Sequence, residues 1–238
     1  ADVWGIGRKQ ARKLQAIGVK TAYDFTQVKD SWVKQHLAII GLRLKRELEG
    51  ISVLGLEQPS TKKSIGVTRT FEKTHTEYSE IKERVSTFAF SCAEKLRKQK
   101  SCCNSMMVIL QTNFHRKDLQ QYSKNIVVQL PYSTNSAIDL VQYATKGLEQ
   151  IFKKGYSYKR AGVFVLDLVP ENFTQLGLFQ NSNPKHEQLM IAMDKLNTSI
   201  GSAKVKLACQ DVGRTWKMKQ ERLSPRFSTR LDEVIVVR

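Results

Sequence analysis

The chain has 238 residues, 41% of them hydrophobic, which is enough for one to three small domains with packed cores. Its formal net charge of +17 attracts polyanions, so the composition favours a nucleic-acid partner over a basic protein surface. No run approaches the roughly 18 apolar residues that a membrane helix needs and no signal-peptide pattern opens the chain, so we expect a cytoplasmic protein.

Residues 1–54 have the pattern of a small all-helical domain. Two glycines flank one apolar residue near the start, and a basic amphipathic helix follows at once, as is typical of a helix-hairpin-helix motif. The glycines let the backbone approach a phosphate, which the amides and cations of the first helical turn can bind. We therefore assign DNA contacts to Gly5, Ile6, Gly7, Arg8, Lys9 and Arg12. A plain helix-helix turn is the alternative. A second helical stretch, residues 32–48, carries Gly41 and stops near Gly50.

After a linker at residues 55–62, rich in residues that break regular structure, the chain alternates between strand and helix patterns. Strands are predicted at 63–71, 105–114, 123–130 and 158–169, and helices at 78–98 and 136–152. The order β-α-β-β-α-β over residues 63–170 predicts an α+β domain with a four-stranded antiparallel sheet and two helices on one face. The other face of the sheet would then be free to meet a ligand.

A second linker, residues 171–184, contains two leucines and a phenylalanine in polar surroundings. They belong to a five-residue segment that consists of Gln175, Leu176, Gly177, Leu178 and Phe179. Exposed apolar anchors of this kind mark partner sites, and the alternative is that the segment packs on its own domain. Residues 185–238 begin with a short helical pattern and then hold little apolar content. We expect this third region to be partly flexible or completed by a partner.

The order of these elements resembles the thumb and little-finger domains of Y-family lesion-bypass DNA polymerases. Within that family the chain resembles the UmuC-like catalytic subunit of bacterial DNA polymerase V, the ImpB/MucB/SamB group. The strings that carry the resemblance are DVWGIGR at residues 2–8, AEKLRKQ at 93–99, QTNF at 111–114, WKMK at 216–219 and LSPRFSTR at 223–230. Residues 175–179 resemble the peptide with which bacterial replication and repair proteins bind the sliding clamp.

The resemblance implies a thumb at residues 1–54, a little finger at 63–170, a clamp-binding peptide at 175–179 and a UmuC-type tail domain at 185–238. It assigns contacts with the backbone of primer-template DNA to Lys63, Ser64, Thr68, Arg69, Lys159 and Arg160. A processed UmuD-like accessory dimer and RecA are further implied partners, and the implied location is the bacterial cytoplasm at the nucleoid.

In this family the palm domain precedes the thumb and holds the carboxylates that bind two Mg²⁺ ions for nucleotidyl transfer. The chain opens directly in a thumb-like motif, so we expect a C-terminal fragment that binds DNA, needs no cofactor of its own and does not polymerise. Mg²⁺ is implied for the full-length polymerase. The four cysteines lack the spacing of a zinc site, and we expect them to be core-filling thiols.

Two other classes of protein remain open. RNA-recognition domains share the β-α-β-β-α-β order but stack bases on aromatic residues of the central strands, whereas the strand at 106–110 is aliphatic. A non-catalytic adaptor that recruits repair factors to the clamp is the second alternative, and the hairpin and the positive charge argue for a chain that also binds DNA. A free-standing enzyme is least favoured, because the sequence offers no evident nucleophile, metal-ligand cluster or phosphate-binding loop.

Overall fold

The computed structural model describes residues 2–53, 55, 60–173, 183–201, 204–210, 223–226 and 229–233. The peptide at 175–179 and the string at 216–219 lie outside the described residues. The chain divides into two compact units, Ala1–Ser60 and Thr61–Arg238, and each is described by itself. Among the helices of the described residues, none combines the length and apolar character that crossing a membrane requires.

The first unit is helical, with α1 (Arg8–Ala16), α2 (Ala22–Thr26) and α3 (Asp30–Leu48). Its core is formed by Leu14, Phe25 and Val33, which are at most 4% exposed. Each helix contributes one of these three side chains, so a small apolar cluster holds the helices of this unit together.

α3 consists of two helical segments that fold back on each other, not of the single stretch that the sequence predicts. Ala38 has φ +55 and ψ −164, which breaks the helix in its middle. Gly41 permits the close approach, because a Cβ there would lie 2.3 Å from the Cβ of Leu37. Lys45 binds Asp30 over 2.5 Å, although residues 15 apart in a straight helix are separated by about 22 Å. This ion pair therefore requires the fold-back.

The second unit contains β1 (Ile65–His75), α4 (Tyr78–Lys98), β2 (Ser101–Thr112), β3 (Ser123–Thr134), α5 (Ala137–Ile151) and β4 (Tyr158–Pro170). The strands form one antiparallel sheet in the order β1-β4-β2-β3. The predicted α+β class and the β-α-β-β-α-β order are thus confirmed. β1 begins two residues later than expected, so Lys63 and Ser64 precede the sheet. We call residues 65–170 the sheet domain.

α4 and α5 cover one face of the sheet. Side chains in a strand point alternately to its two faces. The strand residues that are fully buried beneath the helices include Met106, Val108, Leu110, Ala161, Val163 and Val165. Their neighbours Ile109 and Phe164 point the other way and are only half-buried. The sheet therefore has a covered face and an open face.

α6 (Pro184–Ser199) packs onto the sheet domain, so the start of the third region has more apolar packing than its composition predicts. Met190 and Met193 are 1% and 6% exposed and belong to the same core. Arg97 of α4 donates from Nε and Nη2 to the carboxylate of Asp194 over 2.6 and 2.7 Å. Its Nη1 also donates to the carbonyl of Asn135 over 2.8 Å. One arginine thus links α6 to the end of α4 and to the residue before the N-cap of α5.

All four cysteines are free thiols. Cys92, Cys102 and Cys103 are buried, and burial raises the pKa of Cys92 to about 12 and that of Cys102 to about 11. Thiols with such pKa values stay protonated at neutral pH and are poor nucleophiles. These three residues therefore fill the core, as the sequence predicts.

Candidate nucleic-acid interface

The first candidate surface is the turn before α1. The amide of Ile6 donates to the carbonyl of Val3 over 3.1 Å, and Gly5, the third residue of this turn, has φ +91. A turn of type II requires a positive φ at its third residue, which glycine adopts without strain. Gly5 is therefore the residue that lets the backbone turn tightly into α1.

Gly7 begins α1 in a conformation that any residue can adopt. Its φ is −76 and its ψ is 167, which is extended backbone. Its amide donates to Oε1 of Gln10 over 3.1 Å, and a Cβ on Gly7 would stand 3.9 Å from that oxygen. Both glycines were predicted to let the backbone approach a phosphate, and in the structure only Gly5 has the positive φ that the turn requires. What Gly7 contributes is open space in front of the first turn of α1, whose amides have no intrahelical partner.

The predicted cations of this hairpin share the outer side of α1. They are Arg8, Lys9 and Arg12, and all three are exposed. Ala11 and Leu14, on the other side of the helix, are buried. The structure also places Trp4 in the turn with 95% of its surface exposed. No role was predicted for Trp4 from the sequence, although an aromatic residue directly before Gly5 was an available signal.

The second candidate surface is the open face of the sheet, where Thr68 and Arg160 lie side by side. Nη2 of Arg160 donates to Oγ1 of Thr68 over 3.2 Å. Arg160 is exposed and Thr68 is half-buried. A guanidinium has five N–H donors, so this bond leaves donors of Arg160 to bind phosphate oxygens. The structure thus brings two of the predicted DNA contacts together in an arrangement suited to a nucleic-acid backbone.

Two glycines shape this face, and neither was predicted as a site residue. A Cβ on Gly162 would lie 2.3 Å from Cγ2 of Thr68, so the threonine leans across β4. A Cβ on Gly66 would lie 2.3 Å from the ring of Phe164, which covers β1 at that point. A glycine inside a strand is a sequence signal for such close approach, and both glycines gave that signal.

The middle of the open face is apolar. Met107 pairs with Val127 of β3 on one side and with Phe164 of β4 on the other. Val127 is 50% exposed, while Met107 and Phe164 are half-buried. The polar groups that can bind a phosphate therefore lie beside this apolar strip, at the β1 edge of the open face.

Three other predicted contacts lie at the two ends of the sheet domain. Lys63 and Ser64 are exposed and precede β1, at the opposite end of that strand from the Thr70 pairing with Arg160. Lys159 is the extra residue of a bulge in β4, because the strand register shifts at this point. Its Nζ donates to the carbonyl of Glu72 over 2.7 Å. Lys159 thus braces the edge strand beside Arg160.

Arg69 faces away from the open face. It pairs with Ala161, whose side chain is fully buried beneath the helices. Arg69 shares that side of the sheet at the exposed edge, and its Nη1 donates to the carbonyl of Thr68 over 3.4 Å. Neighbouring residues of a strand point to opposite faces, so Thr68 and Arg69 reach different surfaces.

The predicted clamp peptide at residues 175–179 lies outside the described residues, but both of its flanks are placed. Glu171 and Asn172 precede it, and Asn183 and Pro184 follow it. All four line one cavity of about 350 Å³ on the sheet domain. The two flanks of the peptide are therefore held close to each other.

Within the residues that the structure describes, no group of three or more histidines, cysteines, aspartates or glutamates could hold a metal ion. The adjacent carboxylates Asp232 and Glu233 bind arginines: Glu233 lies 2.9 Å from Arg226, and Asp232 lies 3.3 Å from Arg230. These residues do not fit a Mg²⁺ site, because their carboxylates are already neutralised by arginines.

Comparison with known proteins supports the resemblance. Residues 62–178 match the impB/mucB/samB family C-terminal domain, and residues 187–237 match a domain of unknown function, DUF4113. The chain is 32% identical over 240 residues to Protein UmuC of Salmonella typhimurium, covering all of this chain and 57% of that protein. Protein ImpB of the same organism is 32% identical over 240 residues, with 56% of its length covered.

A more distant similarity is to DNA polymerase IV 1 of Bacillus subtilis, which is 24% identical over 209 residues. That match covers 84% of this chain and 48% of the polymerase. The chain thus spans about half the length of the curated relatives it matches.

Proposed function

Because the chain belongs to the UmuC/ImpB/MucB/SamB-like Y-family polymerases, we propose that it is the DNA-binding part of an error-prone lesion-bypass DNA polymerase. In this proposal the hairpin before α1 and the β1 edge of the open sheet face bind the backbone of primer-template DNA. Nucleotidyl transfer and its Mg²⁺ ions belong to the part of such a polymerase that this chain does not span. The protein would act in SOS-type repair and mutagenesis in the bacterial cytoplasm.

The observation that carries the proposal is the hydrogen-bonded pair of half-buried Thr68 and exposed Arg160 on a sheet face that no described helix covers. A hydroxyl and a guanidinium at this place can bind phosphates without touching base edges. Contacts of this kind tolerate a damaged base, because the protein reads the backbone rather than the sequence. The net charge of +17 supports the same conclusion for the chain as a whole.

The test is a titration of labelled primer-template DNA with the chain and its charge variants. Arg160→Glu should weaken binding to all sequences alike. Arg69→Glu is the matched control, since it makes the same charge change at the same edge but on the covered side of the sheet. An equal loss in both variants would show that the edge of the sheet, rather than its open face, binds DNA.

The salt dependence provides a second readout of the same experiment. If the chain neutralises about five phosphates, the logarithm of affinity should fall with the logarithm of salt concentration at a slope of roughly −4 to −5. A flat salt response, or binding confined to one sequence, would contradict backbone binding.

We also propose that residues 175–179 bind the sliding clamp, with Leu178 and Phe179 in an apolar pocket and Gln175 at its rim. The placement of both flanks on the sheet domain supports this proposal, because a peptide tethered at two ends loses less conformational entropy on binding than a free tail. A UmuD-like dimer and RecA are further partners proposed from the family relationship alone.

A further inference from the structure

Between β2 and β3 the chain forms a loop that presents Phe114 to solvent. Phe114 is 57% exposed. Nε2 of Gln121 lies within hydrogen-bonding distance of three loop carbonyls, those of Asn113, Arg116 and Leu119, at 3.3, 2.7 and 3.0 Å. These bonds tie the two sides of the loop together, so the aromatic ring stands on a preorganised frame.

A second loop, between α5 and β4, lies against the first. Tyr122, at the end of the first loop, donates from its hydroxyl to the carbonyl of Ile151 over 2.7 Å. The rings of Tyr122 and Tyr156 lie 4.8 Å apart, and Nζ of Lys153 lies 5.5 Å from the centre of the Tyr122 ring. The two loops therefore form one continuous surface at this end of the sheet domain.

This surface is strongly basic. Residues 113–124 and 152–159 hold six cations: Arg116, Lys117, Lys124, Lys153, Lys154 and Lys159. They hold a single carboxylate, that of Asp118, which Arg116 binds through two contacts of 2.8 and 2.6 Å. This ion pair lowers the pKa of Asp118 to about 2 and further fixes the shape of the loop. The remaining five cations provide the positive field around Phe114.

We propose that Phe114 stacks on an unpaired base of single-stranded DNA while lysines of the two loops hold the strand's phosphates. An exposed aromatic ring beside a basic surface is the arrangement that binds single strands without sequence preference, since every base has a flat face. A protein partner is less well matched, because a protein interface needs a cluster of apolar anchors and this surface exposes one. The inference rests on the proposed DNA-binding function and adds a contact separate from that of Thr68 and Arg160.

The test compares two labelled DNAs by fluorescence anisotropy: a blunt duplex, and the same duplex with a single-stranded overhang. Phe114→Ala should weaken binding to the overhang DNA by about tenfold and leave the blunt duplex unchanged. Phe114→Trp should restore overhang binding, because the larger ring still stacks. Ile200→Ala is the matched control, since Ile200 directly follows α6, is 62% exposed, and its loss should change neither affinity.

An adenine analogue whose fluorescence reports stacking, placed in the overhang, gives a direct readout of the ring contact. Its signal should change on binding of the parent chain and not on binding of Phe114→Ala. Equal affinities of parent and Phe114→Ala for the overhang DNA, or an equal loss on both DNAs, would overturn the stacking proposal. Tighter binding of an RNA overhang of the same sequence would overturn the assignment to DNA. Failure of the proposed function itself would appear differently, as unchanged duplex binding in Arg160→Glu.

Discussion

Thr68 lies directly across Gly162 on the open face of the sheet: a Cβ on the glycine would stand 2.3 Å from Cγ2 of the threonine and 3.2 Å from its Cα. The two residues are partners in the β1–β4 ladder. Because the glycine has no side chain, Thr68 can lean over β4 and accept a hydrogen bond from Arg160. The position of the proposed phosphate-binding pair is therefore set by a residue that binds nothing itself.

Replacing Gly162 with alanine should destabilise the sheet domain by about 1–3 kcal/mol, because the new methyl group displaces Thr68 or shifts the strand. The same change should weaken DNA binding by moving the Thr68 hydroxyl away from Arg160. Urea denaturation measures the first effect and the primer-template titration the second. Thr68→Ser removes the closest atom, Cγ2, so the double variant should regain part of the lost stability. A Gly162→Ala variant as stable as the parent chain would contradict this packing.

The two hairpin glycines should differ when each is replaced with alanine. Gly5 has φ +91, and an alanine there costs roughly 1–2 kcal/mol of strain, so Gly5→Ala should lower the melting temperature. Gly7 is extended and has room for a Cβ, so Gly7→Ala should leave the melting temperature almost unchanged. Gly7→Ala is thus the control for Gly5→Ala. Equal melting temperatures in the two variants would show that the turn does not constrain the fold.

The sequence predicted the sheet domain well because its signals are local. Alternation marks strands and a 3.6-residue period marks helices, so all four strands and both covering helices appear in the predicted order. The fold-back of α3 was missed because it depends on a contact between Asp30 and Lys45, which are 15 residues apart. The packing of α6 was missed for the same reason, since Met190 and Met193 are buried by distant residues.

The candidate site was predicted as a set of residue types rather than as a surface. Thr68 and Arg160 do meet, but the contact depends on Gly162, which the sequence analysis passed over. Thr68 and Arg69 were both predicted to contact DNA, and the structure places them on opposite faces of the sheet, as expected for neighbouring strand residues. The apolar strip around Met107 could not be separated from core residues, because the unbroken apolar run at 106–110 is the pattern of a strand buried on both faces.

Two neighbouring cations of α4 should differ in their effect on α6. Arg97 is 10% exposed in its side chain and binds Asp194 and the carbonyl of Asn135, so Arg97→Ala should destabilise the chain by about 2 kcal/mol. Lys98→Ala is the control: its side chain is 70% exposed and pairs with Glu94 one turn away, which is worth at most about 0.5 kcal/mol. Hydrogen exchange should show faster opening of α6 in Arg97→Ala only. Equal exchange in the two variants would place the anchor of α6 elsewhere.

The clamp proposal makes a prediction about Leu178 and Phe179. Burying two such side chains in a pocket contributes roughly 1.5–3 kcal/mol each, so the double variant Leu178→Ala, Phe179→Ala should lose measurable binding to a bacterial sliding clamp. Calorimetry or surface plasmon resonance with the purified clamp measures this loss. Affinity of the parent chain should still be modest, because immobilising side chains and backbone at an interface costs conformational entropy.

The control for this experiment separates the clamp from the alternative that the peptide packs on its own domain. Leu223→Ala removes another exposed leucine, 61% exposed and outside the peptide, and should change neither clamp binding nor stability. The double variant should melt at the same temperature as the parent chain, because side chains that bind a partner contribute little to the free energy of unfolding of the chain alone. If the double variant instead melts several degrees lower, Leu178 and Phe179 belong to the chain's own core. If it binds the clamp as tightly as the parent chain, the clamp is bound by another part of the protein.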